Sequence, residues 1–482
     1  MSRTVVKEAD WVVAWDPAAR RHAYLRGADV AFEGGTLVHV GEGYAGPADR
    51  VLEGRGRLVM PGLVNLHSHI GREPIFRGIR EEHGVPGHHM TGLFERFQAF
   101  GPGDVDSRIA CLELAACELL RSGVTSIVDI GAAWDGWADA LARTGLRGFL
   151  APGFASASWK VASDTEVGYQ WDEAGGRRRF EESLRFIDGL AAHPSGRVSG
   201  VVTPAQIDTC TEDLLRDALA AAKDRGIPCT VHIAQGITEV KEMLRRHGRT
   251  PIGWAADIGI LGPHTILGHA IFPDSHSWCR DQAGIDSARD VALMGESGCS
   301  VAHCPTVFAR NGILMESFGR YRKAGVNMGI GTDTTPQNML EEMRTVSTLA
   351  RIADRHVYAT SIDEVFHAAT VGGARALLRD DLGRLAPGAR ADLVIVDLAH
   401  PDMQPARDPL RSLVFHAADR AVRDVFVDGV QVVAGGRVLT LDAAAAGARL
   451  EEAQRRMIEG VPARDYRKRS ADEIAPRSLP GA

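Results

Sequence analysis

The sequence has no Cys-x-x-Cys pair in its 482 residues, so it lacks the spacing typical of zinc ribbons and thiol redox motifs. Its seven cysteines are scattered along the chain: Cys111, Cys117, Cys210, Cys229, Cys279, Cys299 and Cys304. This distribution indicates neither a disulfide framework nor a zinc knuckle.

The sequence also lacks an apolar run long enough to cross a membrane. Glycines, prolines and charges interrupt every apolar stretch before the roughly 18 residues that a spanning helix needs. The first residues mix acidic with apolar side chains and lack the continuous apolar core of a signal peptide. We therefore expect a cytoplasmic protein that does not associate with membranes.

An excess of positive charge is missing as well. Lysine and arginine number 55 against 62 for aspartate and glutamate, which gives a formal net charge of -7. That balance offers no polycationic surface for nucleic acid or anionic lipid. Because hydrophobic residues make up 45% of the chain, it can bury a large core, and we expect a globular protein with a small-molecule substrate.

The two ends of the chain share a β-rich pattern. Residues 1–61 contain short alternating stretches with glycine turns, and the same pattern returns at 389–441. Each part is too small for a good core alone, so we expect them to pack together as one composite β-sandwich. Residues 442–482 are predicted to form a helix to about residue 459 and a charged tail, which either packs on a neighbour or is solvated.

Between these ends, residues 62–388 repeat a pattern of apolar strand, loop and amphipathic helix about eight times. The predicted strands are 63–69, 125–131, 147–153, 198–206, 229–235, 265–272, 299–305 and 327–333. Nearly continuous apolar runs are typical of parallel strands buried on both faces. One helix is predicted over 212–225, with Thr211 as a candidate N-cap and Gly226 closing it. The pattern predicts an α/β fold with a (β/α)8 TIM barrel, although an open doubly wound sheet has the same alternation.

Polar side chains stand at the carboxyl ends of these strands, where a barrel of this kind has its active site. His67 and His69 lie two apart in the first strand, so both can face the barrel mouth. His232, His269 and Asp333 each end a later stretch. Any one of them alone is more often a core histidine or a helix-capping aspartate. Four strand ends that carry such residues together indicate a shared metal site.

Three imidazoles and one carboxylate leave a bound dication with net positive charge, which lowers the pKa of coordinated water to about 7. We expect one divalent metal ion at this site. Nitrogen and oxygen ligands without thiolate suit Zn²⁺, and Fe²⁺, Co²⁺, Ni²⁺ or Mn²⁺ also fit them. Hydroxide at neutral pH is the nucleophile of a hydrolase.

The ordered set of motifs resembles the amidohydrolase superfamily, in the branch that includes cytosine deaminase and the triazine hydrolases. The resemblance runs from about residue 3 to 440, and its motifs are Pro61-Gly-Leu-Val-Asn-Leu-His-Ser-His69, Phe76-Arg-Gly78, His232, Gly268-His269, Ala302-His-Cys-Pro305, Gly331-Thr-Asp333 and 383–394. It implies four metal ligands: His67, His69, His232 and Asp333. It also implies that His269 orients the substrate and the metal-bound water, that Asp333 moves the proton, and that the protein is a homo-oligomer.

Two positions depart from the deaminases of that branch. Where those enzymes have His-x-x-Glu, this chain has His232-Ile-Ala-Gln235, and glutamine cannot titrate as a general acid. Where many of them have Pro-His, this chain has Pro204-Ala-Gln206. Both changes disfavour protonation of an aromatic ring and favour attack on an exocyclic carbonyl.

Further segments, at 204–210, 232–235, 302–310 and 338–344, are similar to phenylurea hydrolases and molinate hydrolase. This similarity implies hydrolysis of a C–N, carbamate or thiocarbamate bond in a small molecule such as a phenylurea. The first alternative is an aminohydrolase, a deaminase or a dechlorinase-like enzyme, acting on an aminoheterocycle such as cytosine, guanine or a triazine. The second alternative is a homologue without activity, and the complete set of metal ligands argues against it.

The remaining assignments concern catalysis and substrate binding. We expect His269, Asp333 and Gln235 to act in catalysis. The substrate-binding candidates are Gln206, Gln235, His303 and Arg77. For His303, a structural hydrogen bond beneath the seventh strand is an equal alternative. Residues 70–79 and 169–177 are expected to shape the pocket, although the aromatic residues of the second stretch can equally pack on a helix.

Overall fold

The computed structural model describes residues 2–79, 94, 98–101, 103–161 and 167–479. Short strands form its N-terminal part. Parts of two predicted segments, 80–93 in the central region and 480–482 in the tail, lie outside these residues. The N-terminal strands are β1 (Arg3–Ala9), β2 (Trp11–Asp16), β3 (Arg21–Leu25), β4 (Ala28–Glu33), β5 (Thr36–Gly41), β6 (Arg50–Glu53) and β7 (Arg57–Pro61).

The central strands run mostly parallel. They are β8 (Leu63–Ser68), β9 (Val124–Gly131), β10 (Arg147–Phe154), β11 (Ala157–Val161), β12 (Val167–Trp171), β13 (Val198–Gly200), β14 (Thr203–Pro204), β15 (Cys229–Ile233), β16 (Thr265–His269), β17 (Ser300–His303) and β18 (Asn327–Ile330). One parallel sheet has the order β13-β10-β9-β8, with β14 also paired to β10, and a second has the order β15-β16-β17-β18. Strands β11 and β12 form a separate antiparallel hairpin.

Isolated parallel bridges link the edges of the two central sheets. They are Ser68–Asp333, Val202–Cys229 and Gln206–His232. The strand ends that carry the predicted ligands therefore lie next to one another.

Each predicted central strand is present, and several end earlier than predicted. The last strand, β18, ends at Ile330, and Asp333 three positions later has a φ of 56°, which is outside the β region. The backbone leaves the hydrogen-bonded ladder where the polar side chains turn towards the mouth, and an apolar pattern alone does not show where that happens.

Helices connect the strands and continue to the C-terminus. They are α1 (Val105–Arg121), α2 (Trp137–Thr144), α3 (Glu173–Leu190), α4 (Glu212–Arg225), α5 (Ile237–His247), α6 (Pro251–Asp257), α7 (Ser277–Ala283), α8 (Asp290–Ser297), α9 (Pro305–Ala309), α10 (Phe318–Lys323), α11 (Met339–Asp354), α12 (Ile362–His367), α13 (Gly373–Ala376), α14 (Pro409–Ser412), α15 (Ala443–Glu459), α16 (Val461–Arg464) and α17 (Ala471–Ile474). Shorter 3-10 turns lie at Glu73–Phe76, Ile207–Thr209, Pro401–Met403 and Ala418–Ala421, and π turns at Ala368–Gly372 and Leu413–Ala417.

Helix α4 has the predicted bounds and shows how the local signals act. Gly226 closes it at a φ of 63°, a conformation that glycine adopts without strain. Thr211 stands at the N-cap position, but its side chain accepts no hydrogen bond from the helix. Instead, its amide donates to Ser156 Oγ at 3.3 Å, which ties the helix to the loop after β10.

The C-terminal strands complete the sheet that the N-terminal strands begin. They are β19 (Leu393–Asp397), β20 (Val422–Val427), β21 (Val430–Ala434) and β22 (Arg437–Val438). They enter a seven-stranded sheet of order β22-β21-β20-β19-β7-β2-β3, in which β19 and β7 join the two ends of the chain. Residues of this sheet and of the second terminal sheet, β5-β4-β1-β6, share one buried apolar cluster that includes Val6, Phe32, Val59, Ile395 and Phe426.

A buried ion pair connects the terminal sheet to the central strands. Arg147, at the start of β10, is 2% exposed and donates to both carboxylate oxygens of Asp392 at 3.1 Å, and to Asp428 at 3.2 Å. A bidentate pair of this kind fixes geometry as well as distance.

The C-terminal helix packs on its own chain. Buried Leu450, Ala453 and Met457 of α15 share an apolar cluster with Ala110 and Cys111 of α1, so one face of the helix packs on its own chain while most of its other residues are exposed. No helix in the described part of the chain is both long and apolar enough to cross a membrane.

Candidate active site

The two histidines of β8 approach Asp333 at the end of the last central strand. His67 Nε2 lies 3.7 Å and His69 Nε2 3.2 Å from Asp333 Oδ1. The amide of Asp333 donates to His67 O at 2.9 Å, so the backbone as well as the side chains holds the two strand ends together. These three residues form one possible ligand group, with their ligand atoms within 4.8 Å of one another.

His232 and His269 complete the cluster from β15 and β16. The Nε2 atoms of His232 and His69 are 3.4 Å apart, and the rings of His67 and His269 are 4.6 Å apart between centroids. His67, His232 and His269 form a second possible ligand group within the same 4.8 Å. All five predicted residues therefore converge on one small volume.

Outer hydrogen bonds orient two of the imidazoles. His69 Nδ1 lies 2.8 Å from Ile130 O, and His232 Nδ1 lies 2.7 Å from Ala205 O. Because a carbonyl only accepts, each Nδ1 must carry the proton, and in a neutral ring each Nε2 then presents a lone pair to the cluster. Histidines that bind metals are oriented in this way.

His67 provides the test of whether a cation fits. Its side chain is fully buried, yet neither Nδ1 nor Nε2 has a hydrogen-bond partner among the described residues. A buried polar group without a partner costs free energy, unless a ligand satisfies it. A divalent cation that His67 Nε2 shares with two further imidazoles and a carboxylate would satisfy this ring and fits the arrangement.

The backbone around the cluster contains features that sequence reasoning missed. Asn65 Oδ1 accepts the amides of His67 at 3.3 Å and Thr332 at 3.1 Å, so one side chain joins the first and last central strands. A Cβ added at Gly331 would lie 2.7 Å from His67 O, which is too close for any other residue. His269 itself has a φ of 78°, a conformation that non-glycine residues rarely adopt. The only local signals of these features in the sequence are Asn65, two positions before His67, and Gly331, two positions before Asp333.

Burial sets the protonation of the cluster. It lowers the pKa of His67 well below its ordinary range, the pKa of His232 to about 3 and that of His269 to about 4. For His69, burial also opposes the charge, but the hydrogen bond and the charge of Asp333 raise the pKa overall. Asp333 is the converse case, since burial would raise its pKa whereas His69 lowers it well below the usual carboxyl range. Without a cation, the cluster thus favours the charged form of His69 beside an ionised Asp333, and a bound cation would compete with that proton.

A cavity of about 690 Å³ opens beside the cluster. Its wall includes His69, His232, His269 and Asp333, and both predicted glutamines, Gln206 and Gln235. Several of the other lining residues are aromatic: Phe76, Phe100, Trp134, Trp137, Phe154, Trp159 and Phe308. Charged residues also line the cavity: Arg72, Glu73, Arg108, Asp129, Arg179 and Arg310. The lining suits a molecule with an aromatic ring and polar atoms at its edge.

Two predicted substrate-binding residues are not among the described residues that line the cavity. Arg77 Nη2 pairs with Glu118 Oε1 at 2.6 Å. His303 is buried, with its ring 6.0 Å from that of Phe318, and burial lowers its pKa to about 3. The stretch 169–177 was expected to shape the pocket. Its Tyr169 instead lies in β12, where its hydroxyl donates to Asp208 Oδ2 at 2.6 Å.

A buried carboxylate holds Gln235 in place. Glu239 Oε1 accepts the amide of Ala234 at 2.6 Å and Oε2 accepts the amide of Gln235 at 3.0 Å. Ala234 has a φ of 51°, so the strand end is bent and both amides point at one side chain. Burial, followed by the charge of Asp208, raises the pKa of Glu239 well above its ordinary value. No motif or spacing in the sequence singles out Glu239.

The profile of the amidohydrolase family matches residues 58–432 of the sequence, which include every residue of the cluster. The chain belongs to the amidohydrolase family. It is an amidohydrolase that acts on carbon–nitrogen bonds other than peptide bonds.

Curated relatives align with this amidohydrolase over nearly its whole length. The 5-methylthioadenosine/S-adenosylhomocysteine deaminase of Natronomonas pharaonis is 30% identical, over 91% of this chain and 95% of its own. The 5'-deoxyadenosine deaminase of Methanosarcina mazei is 28% identical, over 92% of this chain and 95% of its own.

Solved structures share the fold of this amidohydrolase. An adenosine deaminase from Xanthomonas campestris with bound zinc superposes with a TM-score of 0.78 at 23% identity, covering 95% of this chain and 98% of its own. The atrazine chlorohydrolase from Arthrobacter aurescens TC1 complexed with zinc gives a TM-score of 0.78 at 22% identity, covering 94% of this chain and 100% of its own.

Replacement of Asp333 by alanine tests its expected roles as metal ligand and proton carrier. We expect Asp333→Ala to lower hydrolytic turnover by at least about a thousandfold, with loss of bound metal measured on the same sample. Asp135→Ala, at an exposed aspartate after β9, is the control and should leave both unchanged. A small loss of turnover with the metal content intact would contradict the assignment.

The buried neutral histidines should make the metal-free protein sensitive to acid. Unfolded histidine binds a proton below its ordinary pKa of 6.5, whereas folded His303 stays neutral to about 3, so the free energy of unfolding falls as the pH falls from 6.5. Each such histidine contributes a slope of about 1.4 kcal/mol per pH unit. Urea unfolding of His303→Asn at pH 6.5, 5.5 and 4.5 should show a slope smaller by about that amount. His416→Asn, at an exposed histidine, should keep the parental slope, and an equal effect of both changes would exclude this explanation.

Proposed function

We propose that the chain is a one-metal aminohydrolase that removes an exocyclic amino group from a small aromatic heterocycle. The observation that carries the proposal is the convergence of His67, His69, His232, His269 and Asp333 at the wall of an aromatic cavity of about 690 Å³. The names of the full-length relatives, both deaminases of adenosine derivatives, support the aminoheterocycle over other amine-releasing substrates.

The ligands of the proposed metal are the four that the resemblance implies: His67, His69, His232 and Asp333. A bound dication lowers the pKa of water and so supplies a nucleophile at neutral pH. Zinc is our choice among the divalent metals, since the donors are nitrogen and oxygen and both solved structures are described with zinc.

In this proposal, Asp333 moves the protons. Its carboxylate is ionised, since its pKa is held well below the usual range, and it would accept the proton of a water that a bound dication makes acidic. It would then pass that proton to the departing nitrogen, which leaves as ammonia while the ring keeps the oxygen. The electron pair that moves to a ring nitrogen during attack returns as the amine leaves, and Gln235 can donate a hydrogen bond to that nitrogen. His269 Nε2 lies 4.0 Å from Asp333 Oδ2, where it can hydrogen-bond to the attacking oxygen.

The glutamines and aromatic rings would bind the substrate. The carboxamides of Gln206 and Gln235 each offer a donor and an acceptor, and Gln206 Oε1 has no hydrogen-bond partner among the described residues. The two can therefore hydrogen-bond to the edge of a neutral heterocycle while the aromatic wall stacks on its face.

Urea or carbamate hydrolysis is the second candidate, and Gln235 is the observation that favours it. Attack on an exocyclic carbonyl requires protonation of the leaving amine alone, whereas deamination of a ring is also assisted by protonation of a ring nitrogen. Gln235 lies in the cavity wall and cannot supply that proton. A phenylurea would place its ring on the same aromatic side chains.

We also infer the architecture that supports this site. The bridges Ser68–Asp333, Val202–Cys229 and Gln206–His232 support closure of the two central sheets into a (β/α)8 barrel. The shared cluster of the terminal sheets supports a composite β-sandwich from residues 1–61 and 389–441, flanking a barrel of 62–388 and followed by the C-terminal segment 442–482.

A substrate panel on the parent protein and on Gln235→Glu separates the two candidates. Aminoheterocycles, including adenosine derivatives and triazines, should release ammonia, and aryl ureas and carbamates should release little aryl amine. Glutamate at this position restores a titratable group, so ammonia release should rise by at least about tenfold while urea and carbamate hydrolysis does not gain.

Gln206→Glu is the matched control, because it introduces the same charge into the same cavity wall at the other glutamine. Aryl amine from ureas alone, with no ammonia from any aminoheterocycle, would overturn the aminohydrolase proposal in favour of the second candidate. A large gain in urea hydrolysis by Gln235→Glu would show that proton transfer from this position limits that reaction.

A further inference from the structure

The turn that follows His69 forms one wall of the cavity. The 3-10 turn Glu73–Phe76 begins with the amides of Arg72 and Glu73 donating to His69 O, both at 3.0 Å. Gly71, Arg72, Glu73, Phe76 and Ile79 all line the cavity. The path of this turn therefore sets both the backbone of a proposed metal ligand and the shape of the pocket.

The exit of this turn is held by a side chain from the far end of the sequence. Gln454, in α15, donates from Nε2 to Ile75 O at 2.6 Å and to Arg77 O at 2.7 Å. The two protons of one amide nitrogen thus satisfy two carbonyls of the turn, and the assignment of that atom as nitrogen follows because both partners only accept. Gln454 is half-buried.

A second cavity segment is held by the same part of the chain. Gln98, Phe100 and Gly101 line the cavity, and Arg464 of α16 donates from Nε to Ala99 O at 2.7 Å. A second guanidinium nitrogen of Arg464, Nη2, donates to Met457 O at 2.7 Å, so the arginine that holds Ala99 is itself bound to α15.

Apolar packing joins these contacts into one unit. Residues of the turn, of the second segment and of the C-terminal helices share a buried cluster: Ile75, Phe76, Ala99, Phe100, Ala110, Cys111, Leu450, Ala453, Met457, Val461, Ala471 and Ile474. The profile of the amidohydrolase family ends at residue 432, before any of the C-terminal members. The C-terminal helices that support the cavity wall therefore lie outside the part of the chain that the family profile describes.

We propose that the C-terminal segment 443–474 positions the cavity wall and that Gln454 is the positioning residue that fixes the turn after His69. Without its two hydrogen bonds, the turn would keep its apolar contacts but lose the restraint on Phe76, and the pocket would bind its substrate less well. Within the described part of the chain, neither Asp333 nor His232 makes a hydrogen bond to this segment, so chemistry after binding should change little.

The test compares two substitutions at one position in the full-length protein. Gln454→Met keeps the length of the side chain and removes both donors, whereas Gln454→Lys keeps donors that can reach the two carbonyls. Glu451→Met, at an exposed position of the same helix, is the control for the helix itself.

Hydrogen exchange gives a measurement that does not depend on any substrate. In Gln454→Met, amides of residues 70–79 should exchange faster by roughly tenfold, the size expected for two lost hydrogen bonds, while amides of 229–233 and 265–269 keep their rates. Gln454→Lys and Glu451→Met should both resemble the parent. Unchanged exchange at 70–79, or equal acceleration across all three regions, would overturn the proposal, because the residue would then be neutral or merely structural.

Kinetics give the second measurement, and this arm alone rests on the proposed function. KM should rise by about tenfold in Gln454→Met while kcat stays within about threefold, and Gln454→Lys should restore KM. A loss of kcat of about tenfold with no change in KM would contradict a positioning role. If no substrate of the proposed class is found, the exchange result still decides this inference, and the failure belongs to the proposed function.

Discussion

Five ionisable side chains meet beside the cavity, four of them buried and the fifth, His69, partly buried, and this constraint governs the rest of the site. Burial disfavours charge on His67, His232 and His269, whereas the pKa of Asp333 is held well below its usual range and that of His69 beside it is raised. Imidazole lone pairs turned inward, together with a carboxylate, form an environment that attracts a cation. The His67 ring is the clearest sign of this, because neither of its nitrogens has a hydrogen-bond partner among the described residues.

The surrounding structure keeps this arrangement from relaxing. Asn65 joins the first and last central strands, the carbonyls of Ile130 and Ala205 fix two ring orientations, and Gly331 leaves room for the backbone of His67. Non-glycine residues with positive φ at His269 and Asp333 are tolerated because both neighbouring strands hold them. Glu239 acts in a similar way on Gln235, because its carboxylate accepts the backbone amide of that residue. The position that departs from the deaminases is therefore fixed in place.

The pattern of the sequence predicted the strands and the cluster because both follow from local rules. Apolar runs predict buried parallel strands, and His67 and His69 share a face by simple alternation. Helix α4 was predicted with its bounds because Gly226 ends it by its own conformation. Much of what could not be predicted depends on contacts between distant residues: the hydrogen bond of Asn65 to Thr332, the ion pair of Arg77, and the packing of α15. The hydrogen bonds of Glu239 are local, but they depend on the bend at Ala234, which an apolar pattern does not show. Periodicity carries no information about which distant carbonyl a glutamine such as Gln454 will reach. The aminohydrolase reading, which the sequence alone made the alternative, gains its support from the full-length relatives.

Metal analysis combined with X-ray absorption spectroscopy tests the central claim most directly. Purified protein loaded with zinc and dialysed should retain one ion per chain, with an edge spectrum that shows nitrogen and oxygen neighbours and no sulfur, since the cysteines lie outside the cluster. Retention of no metal after loading, or a sulfur neighbour at the distance of a zinc–thiolate bond, would contradict the account.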